Sequence, residues 1–220
     1  MGLAHSPSII SDGLVLYLDA ANRRSYSGSG NTANGLVSGI GGTLVNGTGF
    51  SSANNGSFFF DGTNDYINVP SITSISGDFS VVVWFKTNAT NGIVTRLVDF
   101  DYINGFWLGA STTSGTSWGG GIKEISGAYG IFLPFTDFTW HCLTSVRSNT
   151  THYIYRDGIA DSTSNTVTSN TLTSAGLLIG FSGAGFYLNG NIGQVQIYNK
   201  ALTQQEILQN YNATRKRFGL

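Results

Sequence analysis

Paired carboxylates are the first residues of this sequence whose spacing suggests chemistry. Hydrolysis of a glycosidic bond needs two carboxyl groups that flank the scissile bond. Asp99 and Asp101 are the best pair, because residues two apart on a strand share one face. The two glutamates are far apart, and the chain has no Glu-x-Asp-x-Glu run. The simpler interpretation is a strand end that reaches solvent, so the sequence predicts a protein that is not an enzyme.

Aromatic side chains in glycine-rich segments are the second group with a chemical use. An exposed aromatic ring surrounded by amide groups can stack on the apolar face of a sugar. The candidate carbohydrate-binding residues are Tyr26, Trp107, Trp118 and Tyr129. Core packing is the alternative for these rings, and for Trp107 it is the favoured interpretation.

Other chemistries and partners find little support in the residues. His5, His141 and His152 lack the spacing of metal ligands, and no Gly-x-Ser-x-Gly nucleophile motif occurs. The single cysteine, Cys142, cannot form an internal disulfide and fits a small core residue. The net charge is −1, and no apolar run reaches the length of a membrane span. We therefore expect neither nucleic-acid binding nor membrane insertion.

The composition predicts the elements that must position these residues. Among 220 residues there are 30 glycines, and only 10% are charged, which is typical of an all-β domain with many turns. The clearest strand, Phe79–Lys86, is apolar on both faces and should be central and covered on both sides. In Ser57–Pro70 we expect a hairpin with a turn at Asp61–Asn64. The predicted core includes Leu16, Val81, Val83, Phe85, Val195 and Ile197.

One short helix is predicted near the C-terminus, at about residues 203–211. Thr203 and Glu206 have the spacing of a capping box, in which each side chain bonds to the other's backbone amide. Leu202 and Ile207 have the spacing of a hydrophobic staple across the same end. A helix of this length is not stable alone, so we expect it to pack on the sheets.

Five segments, taken in order, resemble the laminin-G-like, concanavalin A-like domains. They are GLVLYLDA, FFFDGTNDYINV, FSVVVWFKT, WHCLTSVR with its YRDG turn, and NGNIGQVQIYNKALTQQEI. The resemblance runs from about Gly13 to Tyr211 and is greatest to the versions found in tailed bacteriophages and bacterial surface proteins. It implies a jelly-roll sandwich of two antiparallel sheets at residues 13–220, after an arm at residues 1–12.

The resemblance also implies a candidate metal site. Laminin-G-like domains often hold a calcium ion at the rim of the sandwich, bound by an aspartate and backbone carbonyls. Asp61 or Asp65 could serve as the acidic ligand here. The alternative is that Asp61 makes an Asx turn and Asp65 begins a strand.

The functions implied by the resemblance are structural or adhesive. We expect a non-enzymatic virion component, such as a capsid decoration or tail fibre protein, able to bind a host-surface glycan. The first residues lack the basic and apolar regions of a signal peptide, which suits assembly in a host cytoplasm. The alternative is a carbohydrate-binding lectin domain of a bacterial surface protein, located extracellularly or at the cell surface.

The N-terminal arm carries two adjacent isoleucines, Ile9 and Ile10, beside Pro7. An arm that docks on a partner gains the burial of such side chains. We therefore expect a homo-oligomer whose arm attaches it to a larger assembly. The alternative is that Ile9 and Ile10 form a first strand on the sandwich.

Overall fold

The computed structural model describes residues 7–87, 95–101, 105–110, 117–124, 127–134, 138–167 and 171–220. For residues 123, 124, 127–129, 134 and 161–164 only the backbone is described. Two antiparallel sheets, each of eight strands within this part of the chain, face each other around one core. The predicted all-β sandwich is therefore confirmed.

The first sheet has the strand order β15-β14-β13-β8-β20-β5-β4, and β1 also pairs with β20. Its strands are β1 (Leu14–Asp19), β4 (Gly49–Ser51), β5 (Ser57–Asp61), β8 (Phe79–Thr87), β13 (His141–Ser148), β14 (Thr151–Arg156), β15 (Ile159–Thr166) and β20 (Asn189–Tyr198).

The second sheet has the strand order β12-β11-β10-β9-β17-β6-β3-β2. Its strands are β2 (Thr32–Ala33), β3 (Gly42–Val45), β6 (Tyr66–Val69), β9 (Thr95–Phe100), β10 (Phe106–Ala110), β11 (Ser117–Glu124), β12 (Gly127–Pro134) and β17 (Leu177–Ile179). Two small ribbons flank the sheets: β7 (Ser74–Ser76) pairs with β16 (Thr171–Thr173), and β18 (Phe181–Ser182) pairs with β19 (Phe186–Tyr187).

Strand β8 is buried on both faces, as its sequence predicts. Phe79 and Val83 face the core between the sheets, whereas Val82 and Trp84 face a second apolar cluster on the outer side. The core cluster contains all six predicted residues: Leu16, Val81, Val83, Phe85, Val195 and Ile197.

The outer side of the first sheet is covered by the helix α1 (Gln204–Thr214) and a 3₁₀ helix (Arg215–Phe218). The predicted capping box is confirmed, with Glu206 N donating to Thr203 Oγ1 and Thr203 N donating to Glu206 Oε2. Phe218 stacks on Trp84 with ring centroids 4.2 Å apart. The helix ends three residues later than predicted, and contact with the sheet stabilises its last turn.

The predicted hairpin in Ser57–Pro70 is wrong, although both of its strands exist. Strand β5 pairs with β20 and β4 in the first sheet, and β6 pairs with β17 and β3 in the second. The chain therefore crosses from one sheet to the other at Asp61–Asn64. Phe58 and Phe60 face Ile67 and Val69 across the core, which buries more apolar surface than a free hairpin would.

Residues 7–12 carry no helix or strand and lie along the C-terminal helix. Ile9 and Ile10 are half-buried against the outer cluster of the first sheet. The backbone amide of Ile10 donates to Asn210 Oδ1 at 2.8 Å, and its carbonyl accepts from the Tyr198 hydroxyl at 3.0 Å. Ile9 and Ile10 thus contact their own domain without forming a strand, and attachment of the arm to a larger assembly stays a prediction.

None of the helices found in the described ranges is long and apolar enough to cross a membrane.

Candidate functional site

The outer face of the second sheet carries a row of side chains that point away from the core. Directly paired residues on neighbouring strands point to the same side of a sheet. Leu178 pairs with both Asn68 and Asp99, and Trp107 pairs with Asp99 from the next strand. The row therefore crosses β6, β17, β9 and β10.

A bulge in β9 brings a second charged residue to this face. The register between β9 and β10 shifts by one residue, which makes Leu97 the extra residue. Leu97 and Val98 are both buried in the core, so Arg96 and Asp99 share the outer face. Arg96 Nε lies 3.9 Å from Asp99 Oδ2, an ion pair too long to be a hydrogen bond.

Asp99 is 1% exposed, so the prediction of a strand end that reaches solvent is wrong for it. Burial raises the pKa of Asp99 to about 6, against the opposing effects of a hydrogen bond with Ser182 and the charge of Arg96. Its Oδ2 accepts no hydrogen bond from the described residues. A buried carboxylate oxygen without a hydrogen-bond donor retains much of the free-energy cost of its desolvation, which makes Asp99 a candidate site residue.

A cleft of about 540 Å³ opens at Asp99, within the size range of small-ligand sites. The strand row forms its floor, and its walls are the loop before β17 and the turn between β18 and β19. Asp101, which follows the last residue of β9, also lines the cleft. Its φ of 70° ends the alternation of side chains between the two faces of the strand. The lining side chains include Asn68, Asp99, Asp101, Ser174, Leu178 and Ala184.

Aromatic contacts hold the β18–β19 wall in place. Phe181 stacks on Tyr187 with ring centroids 4.4 Å apart and contacts Tyr66 at 5.2 Å. Ser182 Oγ accepts a hydrogen bond from the amide of Ala184 at 3.3 Å. Because Ser182 also bonds to the Asp99 carboxylate, the wall is tied to the floor of the cleft.

Trp107 pairs with Asp99 and is partly exposed, so the core position favoured from the sequence is wrong for it. The Arg96 guanidinium lies over its ring, 4.0 Å from the centroid. The ring also lies against Gly121, where an added Cβ would be 2.9 Å from ring atoms. The centroid of the Phe132 ring lies 5.5 Å from that of the Trp107 ring. These contacts cover part of the Trp107 ring, and its stacking on a sugar stays a prediction.

Sugar stacking was also predicted for Trp118 and Tyr26, and it is wrong for both because their rings are buried. Trp118 is 4% exposed and packs against Phe85 in the core, with ring centroids 4.7 Å apart. Tyr26 is also 4% exposed, and its hydroxyl donates to the Gly30 carbonyl at 2.8 Å. Large aromatic rings next to glycine-rich loops pack into the sandwich, because burying their apolar surface stabilises the fold more than exposing it would. The backbone of Tyr129 lies in β12, and its side chain is outside the described part, so its role stays a prediction.

The two calcium candidates, Asp61 and Asp65, both bond to the backbone of one turn, and calcium binding by either of them stays a prediction. Asp61 Oδ1 accepts a hydrogen bond from the backbone amide of Thr63 at 2.7 Å, and this bond forms an Asx turn. Asp65 Oδ2 accepts the amide of Asp61 at 3.1 Å, and burial raises the pKa of Asp65. Calcium prefers several ionised or carbonyl oxygens, and no three acidic, histidine or cysteine side chains of the described part lie together as metal ligands.

The cleft was missed by sequence reasoning because its lining comes from distant segments. Asn68, Ser174 and Leu178 belong to no motif and meet only through the pairing of β17 with β6 and β9. One signal was available in Asp99, a single acid between the apolar residues Val98 and Phe100 of a strand. An aspartate in that position lies either at a solvent-exposed edge of the sheet or at a buried polar site, and the sequence pattern is the same for both.

Residues 61–208 match the family model of the concanavalin A-like lectin/glucanases superfamily. No curated protein has significant sequence similarity to the chain. Among solved structures, the binding domain of Paraclostridial Mosquitocidal Protein 1 has 16% identity and a TM-score of 0.74, covering 91% of this chain and 52% of that one. A ganglioside-dependent botulinum neurotoxin type C structure has 15% identity and a TM-score of 0.68, covering 92% and 51%.

A third similar structure is the Trypanosoma rangeli sialidase, with 14% identity and a TM-score of 0.71. It covers 96% of this chain but 34% of the sialidase. The chain thus spans about half the length of the toxin structures and a third of the enzyme. At these identities the likeness shows the fold alone.

Proposed function

Since the chain belongs to the concanavalin A-like lectin/glucanases superfamily, we propose that it is a non-catalytic glycan-binding domain. The ligand occupies the cleft on the outer face of the second sheet. The observation that carries this proposal is the buried Asp99 carboxylate at the cleft floor, whose Oδ2 accepts no hydrogen bond from the described residues. A sugar hydroxyl supplies the missing donor.

The rest of the cleft suits a saccharide. Asn68 offers an amide that can both donate and accept, which matches the dual character of a hydroxyl. Leu178 and Ala184 offer apolar surface to the C–H face of a sugar ring. A ligand with hydroxyls on its edge and an apolar face satisfies both kinds of surface at once.

Structures of similar fold support a glycan as the class of ligand. One is described as a botulinum neurotoxin type C that depends on interaction with two ganglioside molecules, and another as a type DC binding domain in complex with SialylT. This chain covers about half of each, 51% and 52% respectively. The support therefore extends to the class of ligand and not to a particular sugar.

A glycan array probed with the purified protein tests the proposal. Asp99→Asn removes the negative charge and replaces one acceptor oxygen by an NH2 donor, and Asn68→Ala removes the whole amide, so each should weaken binding at least tenfold. Asp61→Asn is the matched control, since Asp61 is exposed, outside the cleft, and its Asx turn is equally well made by asparagine. Equal binding by the Asp99 and Asp61 variants would overturn the cleft as the site.

Glycoside hydrolysis is the second candidate, and the raised pKa of Asp99 favours it because a general acid needs a raised pKa. Asp101 lines the same cleft and could be the second carboxylate. Binding is preferred because Asp101 lies beyond the end of the strand, in the left-handed region, so the strand does not hold its side chain on the same face as Asp99. Turnover of a bound array glycan that disappears on Asp99→Asn and on Asp101→Asn would decide for hydrolysis.

The setting of this domain in a tailed-phage virion, as a decoration or tail fibre protein, stays a prediction from the sequence, as does its homo-oligomeric state. Mass spectrometry of purified particles tests the first. Light scattering of the isolated protein tests the second.

A further inference from the structure

A second groove lies at the edge of the first sheet, apart from the Asp99 cleft. Two adjoining cavities, of about 520 and 410 Å³, share the residues Ala21, Arg23 and Asn55. None of the residues that line the Asp99 cleft lines either cavity. The groove therefore offers a surface on which a ligand can be tested independently.

An exposed aromatic ring forms one wall of this groove. Phe50, on the edge strand β4, is 37% exposed, and one side of its ring packs on Tyr26 with centroids 5.6 Å apart. An added Cβ would lie 3.8 Å from the ring at Gly28 and 3.0 Å at Gly56. Because both neighbours are glycines, no side chain from them covers the ring, and it remains open to a ligand.

The backbone beside this ring is held in an unusual conformation. Asn54 and Asn55 have φ angles of 53° and 63°, in the left-handed region that residues other than glycine seldom adopt. Asn54 is fixed there, because its Oδ1 accepts from Trp140 Nε1 at 3.0 Å and its carbonyl accepts from Arg217 Nε at 2.9 Å. The Asn55 side chain is consequently exposed in both cavities, and strain of this kind is often kept for function.

Polar groups in the groove lack the partners that a structural role would give them. Arg23 is exposed, and its guanidinium has no ion pair or hydrogen bond within the described chain. Gln194 is 3% exposed, and its Oε1 is buried without a donor from the described residues. The amide orientation of Gln194 is determined, since its Nε2 donates to Asp19 Oδ2 at 2.9 Å and to the Tyr17 hydroxyl at 3.2 Å.

The charge of the groove selects an anionic ligand. Asp19, its one acidic lining residue among those described, is paired with Arg217 at 2.6 Å. The positive charge of Arg23 is therefore not compensated within the groove. An anionic ligand gains a charge-assisted interaction with the Arg23 guanidinium that a neutral ligand does not make. Because Asp19 is paired with Arg217, its carboxylate repels the anion less.

We propose that this groove is a second saccharide site, for a sugar unit that carries a carboxylate or a sulfate. The Arg23 guanidinium binds the acidic group, the Phe50 ring packs on the apolar face of the sugar, and Gln194 Oε1 accepts a hydroxyl or N–H donor. The site goes beyond the proposed Asp99 cleft and does not depend on it.

Calorimetric titration with three probes tests this site: 3′-sialyllactose, lactose 6′-sulfate and lactose. We expect at least one acidic probe to bind ten or more times tighter than lactose, and the difference to shrink at high salt, which screens an exposed guanidinium. Lactose binding as tightly as both acidic probes, or neither acidic probe binding at millimolar concentration, would overturn the proposal.

Two pairs of matched variants locate the binding. Arg23→Gln should weaken binding of the acidic probe at least tenfold, whereas Arg24→Gln, which removes the same charge from the exposed neighbour, should change it less than twofold. Phe50→Ala should weaken binding, and Phe59→Ala should not, although Phe59 is 39% exposed on the adjacent strand. Equal effects within either pair would contradict the site. Asp99→Asn should leave this binding unchanged, which separates failure of this site from failure of the cleft.

Discussion

At the scale of single residues, Asp99 combines burial with a carboxylate oxygen that accepts no hydrogen bond from the described residues. The Asp99 carboxylate is buried beside the apolar Val98 and Phe100, and its one cationic partner, among the interactions described, is 3.9 Å away. A group chosen for stability would have a closer donor or a solvent-exposed position. Asp99 therefore lowers the stability of the folded state in exchange for a charged acceptor in the cleft.

The stability cost of Asp99 should appear as a pH-dependent difference between two proteins. The folded protein holds a proton on Asp99 below about pH 6, whereas the unfolded chain takes it up only near 3.8. This group therefore adds most stability below pH 3.8 and loses that contribution as pH rises through 6, by up to about 3 kcal/mol. We expect Asp99→Asn to be more stable than the wild type at pH 7.5, with the advantage shrinking towards pH 4.

Urea unfolding at several pH values measures this difference. The wild-type profile alone does not isolate it, because burial lowers the pKa of His152 to about 4. Stability from His152 is present above its unfolded pKa of 6.5 and is lost as pH falls through 4, opposite in sign to Asp99. Subtracting the variant profile from the wild-type profile cancels His152. A difference that does not change with pH would contradict the buried, pKa-shifted carboxyl.

At the scale of elements, the C-terminal segment acts as a clamp on the edge of the first sheet. Arg217 pairs with Asp19 and donates to the carbonyls of Asn54 and Gly56. It thereby connects the 3₁₀ helix to the end of β1 and to the loop before β5. No pattern in the sequence indicates this clamp, because none of these contacts is local.

Removal of this clamp should lower the free energy of unfolding. Arg217→Met keeps the apolar stem but leaves the largely buried Asp19 without its partner, which costs about 3 kcal/mol. The adjacent Lys216 is exposed, so Lys216→Met is the matched control and should change stability by less than about 0.5 kcal/mol. Denaturant unfolding of both variants checks this, and similar losses in the two would mean that Arg217 is not a clamp.

Local patterns were the ones that the sequence predicted correctly. The capping box at Thr203 and Glu206 spans four residues, so its geometry follows from their spacing. The apolar alternation of β8 likewise identified a doubly covered central strand. The hairpin at Ser57–Pro70 failed because turn residues such as Asp61 and Gly62 suit any sharp reversal, and the choice of partner strand is not local.

At the scale of the whole molecule, the sandwich provides a rigid frame for sites on its outside. The core side chains of the first sheet were predictable, because burial follows the period of its strands. The cleft was not, since it depends on the order β9-β17-β6 and on a bulge at Leu97, neither of which has a sequence signature. The aromatic candidates Tyr26 and Trp118 failed because glycine-rich surroundings do not tell whether a ring packs into the core or faces solvent.

The central claim is that a glycan hydroxyl bonds to the Asp99 carboxylate, and its most direct test is the pKa of that carboxyl with and without ligand. NMR titration of the ¹³C-labelled side chain measures it in both states, using the tightest-binding array oligosaccharide at saturation. A hydroxyl donating to the ionised form must lower the pKa below its free value of about 6. The account predicts this fall at Asp99. An Asp99 pKa that is unchanged or raised when the oligosaccharide is bound would contradict it.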